Sequence, residues 1–358
     1  MYRIKYSVLL FTLVVLSSCK EQQNKGTSEN ISDKVNVQDP VVTFEHDKAA
    51  KKVKVSLDGT LFTNYIYDGK TPKPILYPVL TLSGKTLTRG FPFEPRPGER
   101  IDHPHHAGLW FNYGDVNGLD FWNNSYAIPD AEKDKYGGIV HDEFLEMDED
   151  KGVLKVKAFW QTSTNENLLE ETTQLTFAQV GNTRIIDRNT TLKALKDIAF
   201  NDNKEGMIGI RVAREMEMPT DKPAEFTDAD GNITKVKVLN NDGVEGNYIS
   251  SSGLTGNKVW GTRNEWVKLE SKLENEQVSI TIIDHEDNVG FPTYWHARDY
   301  GLFAANPLGQ AVFSDGKESL NFKLKEGEST TFKYRILIHN GSALTPEEIT
   351  KLFTDFNQ

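Results

Sequence analysis

Residues 102–122 read DHPHHAGLWFNYGDVNGLDFW and concentrate more potential chemistry than any other stretch of the chain. Three of the eight histidines, His103, His105 and His106, fall within four positions. Asp102, Asp115, Asn112, Asn117, Trp110 and Trp122 share the same stretch. Imidazole titrates near neutral pH and ligates metals, so the cluster points to acid/base chemistry or to metal binding. In an extended chain His103 and His105 share one face and His106 points the opposite way. His103 and His105 are therefore the candidate ligands of one divalent metal. The third ligand would come from His141 with Glu143, from Asp284 with His285, or from His296. The alternative is that one of the histidines, His106 above all, is a structural hydrogen bonder.

Trp110 and Trp122 offer flat apolar faces, and Asp115 and Asn117 offer hydrogen-bonding groups around the Asn117-Gly118 turn. Together they suit a sugar ring, which has apolar C–H faces and a rim of hydroxyls. The competing readings are buried core tryptophans and a plain tight turn. A second polar-aromatic stretch, GFPTYWHARDYGLFAANPLG over 290–309, contributes Trp295 as a further stacking candidate. It also contributes His296 as an acid/base partner and Arg298 as a binder of polar or carboxylate groups. Against this stands a surface pair between Arg298 and Asp299. Arg89 is a substrate-binding candidate of the same kind, with Arg211 and Arg214 behind it. Glu143 and Glu215 are isolated carboxylates suited to a general base. The chain has no phosphate-binding glycine loop, no dinucleotide fingerprint, no nucleophile elbow and no HExxH motif.

These residues need a scaffold, and period-two alternation supplies it. Val153–Phe159, Ser279–Asp284 and Phe332–Ile338 alternate clearly. Similar runs fall near 41–46, 52–57, 61–67, 75–82, 168–178, 183–192, 207–214, 233–239 and 264–270. Turn pairs such as Asp58-Gly59, Asp68-Gly69, Ser83-Gly84, Asp230-Gly231 and Asp242-Gly243 bound them. A dozen or more short strands predict an all-β fold, a large antiparallel sandwich. One helix is expected at the C-terminus. Thr345-Pro346-Glu347-Glu348 offers a cap and Ile349, Leu352, Phe353 and Phe356 repeat at helical spacing. Residues 85–140 show weak alternation and many Gly, Pro, Asp, Asn and aromatic residues, and are expected to form long ordered loops lining a cleft.

Residues 1–19 have a basic start (Arg3, Lys5) and an apolar run from Val8 to Leu16 that is too short to span a bilayer as a helix. Leu16-Ser17-Ser18-Cys19 resembles a bacterial lipobox, which implies cleavage before Cys19 and a lipid on its thiol. Residues 20–40 are polar and aperiodic and read as a disordered tether. Residues 41–358 read as a single domain. Cys19 is the only cysteine, so that domain carries no disulfide. The formal charge of −11 argues against nucleic acid as a partner, and contact with a membrane is expected only through the Cys19 lipid. An outer-membrane or periplasmic lipoprotein is the expected setting.

TRGFPF, the 102–122 stretch, GGIVH over 137–141 and the 290–309 stretch together resemble the bacterial PmoA-type domain family, over roughly residues 41–340. Its members carry the label methane oxygenase. That label fits this chain poorly, because a membrane-embedded monooxygenase subunit needs several long apolar helices. The resemblance implies an exported protein that works beside carbohydrate-degrading enzymes. It maps the family's histidine motif onto His103, His105 and His106, and a later Gly-x-x-His element onto His141. The strand-rich pattern is also similar to the galactose-mutarotase supersandwich. Three functions stay open. The first is an enzyme on a glycan or sugar derivative, a hydrolase, lyase or epimerase, using His103, His105, His106, His141 and His296. The second is a non-catalytic carbohydrate-binding lipoprotein. The third is a metal-dependent enzyme on a non-sugar substrate.

Overall fold

A computed structural model describes residue 1, residues 40–236 and residues 240–358. The expected leader, Cys19 and the expected tether up to residue 39 lie outside the described residues, as do positions 237–239 of the alternating run 233–239.

Two eight-stranded antiparallel sheets form the body of the fold. The first runs, in spatial order, through Val42–Asp47, Lys52–Leu57, Thr60–Ile66, Ile75–Leu76, Leu109–Tyr113, Gly206–Arg211, Leu302–Asn306 and Tyr294–Ala297. The second runs through Asn247–Ser250, Trp266–Leu273, Glu276–Asp284, Ser329–Asn340, Thr183–Ala194, Asn167–Val180, Val153–Thr162 and Gly137–Asp148. Alternation decides which side chains enter the core. In Val153–Thr162 the residues Leu154, Val156, Ala158 and Trp160 are buried while Lys155, Lys157 and Phe159 between them are partly exposed. From the first sheet Phe62, Phe111, Ile208, Ile210, Phe303 and Ala305 meet that layer in one core, as the sandwich expectation requires. The tight turn at Asp58-Gly59, with φ of 49° and 73°, closes one hairpin with both central residues in the left-handed region.

The C-terminal helix, Pro346–Phe356, forms as expected. Thr345 accepts from the Glu348 N–H at 3.2 Å, and the Glu348 carboxylate accepts from the Thr345 N–H at 2.8 Å. Ile349 and Phe353 pack on Trp266, Ile283 and Leu337, covering the outer face of the second sheet.

Two elements differ from expectation. The run 75–82 makes only the two-residue strand Ile75–Leu76, because Pro74 and Pro78 bracket it and proline cannot donate to a ladder. The 85–140 stretch is largely loop, but it also contains the strand Leu109–Tyr113, every residue of which is buried. A strand covered on both faces shows no alternation, so its sequence reads as irregular.

Candidate functional site

The outer face of the first sheet carries the site. Phe111, Ile208, Ile210, Phe303, Ala305 and Trp295 belong to the main core, so their strand neighbours point the other way. Cross-strand register lines up Ile75, Trp110, Gly209, Ala304 and His296 in one row on that outer face. Gly209 and Ala304 leave the middle of the row low. A Cβ at position 209 would stand 2.9 Å from Trp110 Cζ2 and 3.0 Å from Trp122 Cη2, so the two indoles sit where a side chain would otherwise be. We expect Gly209→Ala to lower stability by about 1–3 kcal/mol, as overpacked cores do. Its tryptophan emission should shift as the rings move; an unchanged spectrum with native stability would contradict this packing.

Above the row the chain turns rather than extends. His103 has φ of 45°, and the His106 N–H donates to the His103 carbonyl at 2.9 Å. This corrects the extended-chain expectation that His106 points away from the other two. The turn brings all three imidazoles together, with ring centroids 5.6 Å (His103–His105), 4.9 Å (His103–His106) and 4.3 Å (His105–His106) apart. Four rings then stack nearly parallel. Tyr300 lies 5.2 Å from His103, His103 lies 4.9 Å from His106, and His106 lies 5.4 Å from Trp110, with interplanar angles of 4°, 7° and 16°.

Two arginines hold this turn in place. Arg89 is buried, and it donates to the carbonyls of Arg100, Asp102, His103 and His106 and to the Asp102 carboxylate. Its assignment as a substrate binder is therefore corrected: its two terminal NH groups are spent on the loop. Arg211 donates to Asp102 Oδ1 at 2.6 Å and to His106 Nδ1 at 3.1 Å. Burial pushes the Asp102 carboxyl up, but Arg211, the hydrogen bond from His103 and Arg89 outweigh it and hold the group well below the usual carboxylate range. The opposite oxygen of Asp102 lies 3.3 Å from His103 Nδ1.

The histidines divide by environment. The His103 side chain is 41% exposed, and its Nε2 has no protein partner among the described residues. His105 is half-buried; burial first, then the Lys73 and His103 charges, push it down to about 2, so it stays neutral. His106 is buried, and its nitrogens face two groups that can only donate, Trp122 Nε1 at 3.3 Å and Arg211. A neutral ring can accept from only one of them, whereas a protonated ring would point an N–H at both, and burial likewise pushes His106 far down. His106 is thus corrected from a proton-transfer candidate to a positioning residue. His296 is buried beneath the site, with Nδ1 3.1 Å from the Lys204 carbonyl; burial pushes it down to about 3. Burial keeps it from direct contact with solvent-borne substrate.

Other expectations are corrected by burial or by bonding. Trp110, Trp122 and Trp295 are each 0% exposed, so none presents a face to a ligand; Trp295 donates to the Asn264 carbonyl inside the core. Asp115 accepts from the Gly118 N–H and from Asn201, and Asn117 pairs with the Asp197 carbonyl and the Ala199 N–H. Those two residues pin a turn to the 197–201 segment. Glu143 is exposed and paired with Lys157, and the exposed Glu215 lies apart from the cluster. Asp284 belongs to the second sheet, where it accepts from Asn288 and from the Thr293 N–H. His141 sits on the second sheet's edge strand Gly137–Asp148, with its Nδ1 3.2 Å from the Tyr65 hydroxyl and its ring 4.3 Å from Tyr67. It does not join His103 and His105. Among the described residues no three His, Cys, Asp or Glu side chains gather in a way that could hold a metal ion, so the His103–His105 metal pair finds no completed ligand set.

Arg298 does not form the surface pair with Asp299. Asp299 pairs with Lys222, and Arg298 makes no ion pair among the described residues. Its guanidinium lies over Tyr300 at 5.6 Å and over Trp260 at 5.7 Å. With Lys222, Asn257, Trp260 and Asp299 it lines a surface depression of about 200 Å³. Trp260, 37% exposed, is the exposed tryptophan among the three that sequence reasoning passed over. The signal was there: it is the only aromatic residue in the stretch 251–264, which shows no alternation. Tyr300 and Lys73 were also missed, and Asp102, though noted in the stretch, was given no role. Lys73, between Pro72 and Pro74, is buried; its Nζ donates to the His105 carbonyl at 2.8 Å and lies 5.3 Å from the centroid of the Trp110 ring.

No curated protein sequence matches this chain. Solved structures similar to it include the GH36 α-galactosidase AgaB from Geobacillus stearothermophilus, at 10% identity, TM-score 0.37, over 84% of this chain and 41% of that one. The galactosidase domain of the α-galactosidase-sucrose kinase AgaSK gives 10% identity, TM-score 0.38, and 84% and 42% coverage. A galactose mutarotase related enzyme from Lactobacillus acidophilus gives 10% identity, TM-score 0.32, and 83% and 97% coverage. The chain thus spans well under half of the α-galactosidase chains it matches. The family model described as "Family of unknown function (DUF6807)" matches residues 52–354, and the chain belongs to that family.

Proposed function

We propose that this protein is an exported lipoprotein enzyme that performs acid–base chemistry on a sugar derivative, with His103 as the proton-transfer group. The observation that carries the reading is the Asp102–His103 pair: a solvent-facing imidazole with a carboxylate at Nδ1 and rings against its faces. An ionised carboxylate at one ring nitrogen fixes the Nδ1–H tautomer and orients the ring, which leaves Nε2 to exchange a proton with substrate. Neutral His105 beside it can accept a hydrogen bond from a substrate hydroxyl. Arg298 and Tyr300 supply donors for hydroxyl or carboxylate groups, and the partly exposed Trp260 supplies aromatic surface beside Arg298 against which a sugar can pack. Hydrolysis, elimination and epimerisation each need such an acid and base. The resemblance to PmoA-type proteins supports a carbohydrate setting by association, and the lipobox at Cys19 supports membrane anchoring.

The test is a panel of glycans and sugar derivatives screened for turnover, followed by variants on the first hit. His103→Gln should lower turnover by about 10²- to 10⁴-fold while leaving ligand affinity within about twofold, and Asp102→Asn should lower turnover too. Trp260→Ala should weaken binding instead. Full turnover in His103→Gln would overturn the reading. Ligand binding that depends on Trp260 without any turnover would favour the non-catalytic carbohydrate-binding alternative.

A further inference from the structure

Beside the histidine turn lies a second cleft, of about 390 Å³, that the acid–base reading does not use. Its walls are the 67–74 segment and the start of the strand Gly137–Asp148, tied together where the Ile139 N–H donates to the Pro72 carbonyl at 2.8 Å. Lys51, Tyr67, Lys73, His141 and Asp142 supply its chemistry. Asp142, the one acidic lining residue, pairs with Lys157 at 2.8 Å. Lys51 and Lys73 make no ion pair among the described residues, although acidic residues outnumber basic ones, 52 to 41, over the whole chain. Lys73 is 2% exposed, and its charge feels Asp120 only at a distance, so a buried ammonium without a direct ion-pair partner remains costly.

We propose that this cleft binds a hexuronate, a sugar carrying a carboxylate, with the carboxylate paired to Lys51 at the exposed rim and drawn by the positive charge of Lys73 buried in the wall behind it. The volume suits one or two small rings, and Pro72, Pro74 and Tyr67 provide apolar wall. The Nε2 of His141, which has no protein partner among the described residues, is available to a sugar hydroxyl. Burial pushes Lys73 down to about 7, so an incoming carboxylate also offsets the strain on its charge. The contact from Lys73 to the His105 carbonyl places this cleft against the acid–base site, but the proposal does not depend on catalysis there.

Calorimetric titration of the full chain with D-glucuronate, D-glucose and acetate tests the assignment. Glucuronate should bind at least about tenfold more tightly than glucose, a difference worth one charged contact. Lys51→Met, at an exposed turn, should weaken glucuronate at least about fivefold with an unchanged melting midpoint. Lys73→Met should abolish binding. His103→Gln should leave glucuronate affinity unchanged, which separates this cleft from the histidine site. Equal affinity for glucose and glucuronate, no glucuronate binding, or full affinity in Lys51→Met would overturn the proposal. Loss of binding in His103→Gln would place the ligand at the histidines and overturn it as well. Acetate competing as strongly as glucuronate would refute the sugar assignment.

Discussion

Replacing Arg89 with methionine is expected to lower the unfolding free energy by about 3–5 kcal/mol, the range for removing one partner of a buried charge network. The residue is 1% exposed and bonds four loop carbonyls and one carboxylate. Methionine fills much of the volume but leaves those carbonyls without donors and Asp102 with one guanidinium instead of two. Arg89→Lys should rescue little, because an ammonium presents a point charge where the loop is shaped around a planar fork. Urea denaturation at pH 7 measures the loss. The His103 ring signals should also broaden or move, since the turn that stacks them has lost its anchor. A loss below about 1 kcal/mol would mean that the loop holds its shape without the arginine.

The second large effect is on pH dependence. In the folded chain burial keeps His105 (about 2), His106 (far down) and His296 (about 3) neutral, whereas the same residues in the unfolded chain take up protons near pH 6.5. The unfolded state therefore binds more protons between about pH 3 and 6.5, so stability rises with pH there and falls on acidification. Each histidine contributes about 1.4 kcal/mol per pH unit. Asp102, whose pKa is lowered by folding, acts in the same direction once the pH drops below the ordinary aspartate range. Asp284 opposes it: burial pushes this carboxyl up to about 7, so the folded chain gains a proton that the unfolded chain lacks between the ordinary aspartate value and pH 7. Glu99, Glu217 and Asp120, also raised by burial, oppose it in the same sense. A single variant isolates one histidine. His106→Gln can still accept from Arg211 but never titrates. At pH 7 it should be less stable than the parent, and the gap should close by about 3 kcal/mol between pH 6.5 and 4.5. Two parallel stability curves would show that His106 is charged in the fold.

Much of the scaffold was legible. Period-two patterning gave the strands 153–162, 167–180 and 329–340, because one face of each is wet, and the Thr345–Glu348 box gave the helix. The strand Leu109–Tyr113 was not legible, since burial on both faces erases alternation. The site was half legible. Residue types marked the histidine stretch, but the left-handed backbone at His103 is set by Arg89, fourteen positions away, and no local pattern announces it. Trp110 and Trp122 suit a core and a binding surface equally well by composition; only the register that puts Gly209 beneath them decides. His141 was grouped with the others because nothing local shows that its strand belongs to the second sheet.

The stack of Tyr300, His103, His106 and Trp110 makes this molecule its own indicator. A proton on His103 Cε1 or Cδ2 lies in the ring currents of a phenol on one side and an imidazole on the other. Its nuclear resonance should therefore stand upfield of an ordinary histidine. Any molecule that tilts Tyr300 by wedging against Arg298 would move that resonance without touching the histidine itself. Occupancy of the site can thus be followed ligand by ligand in an unlabelled sample, before the identity of any reaction is known.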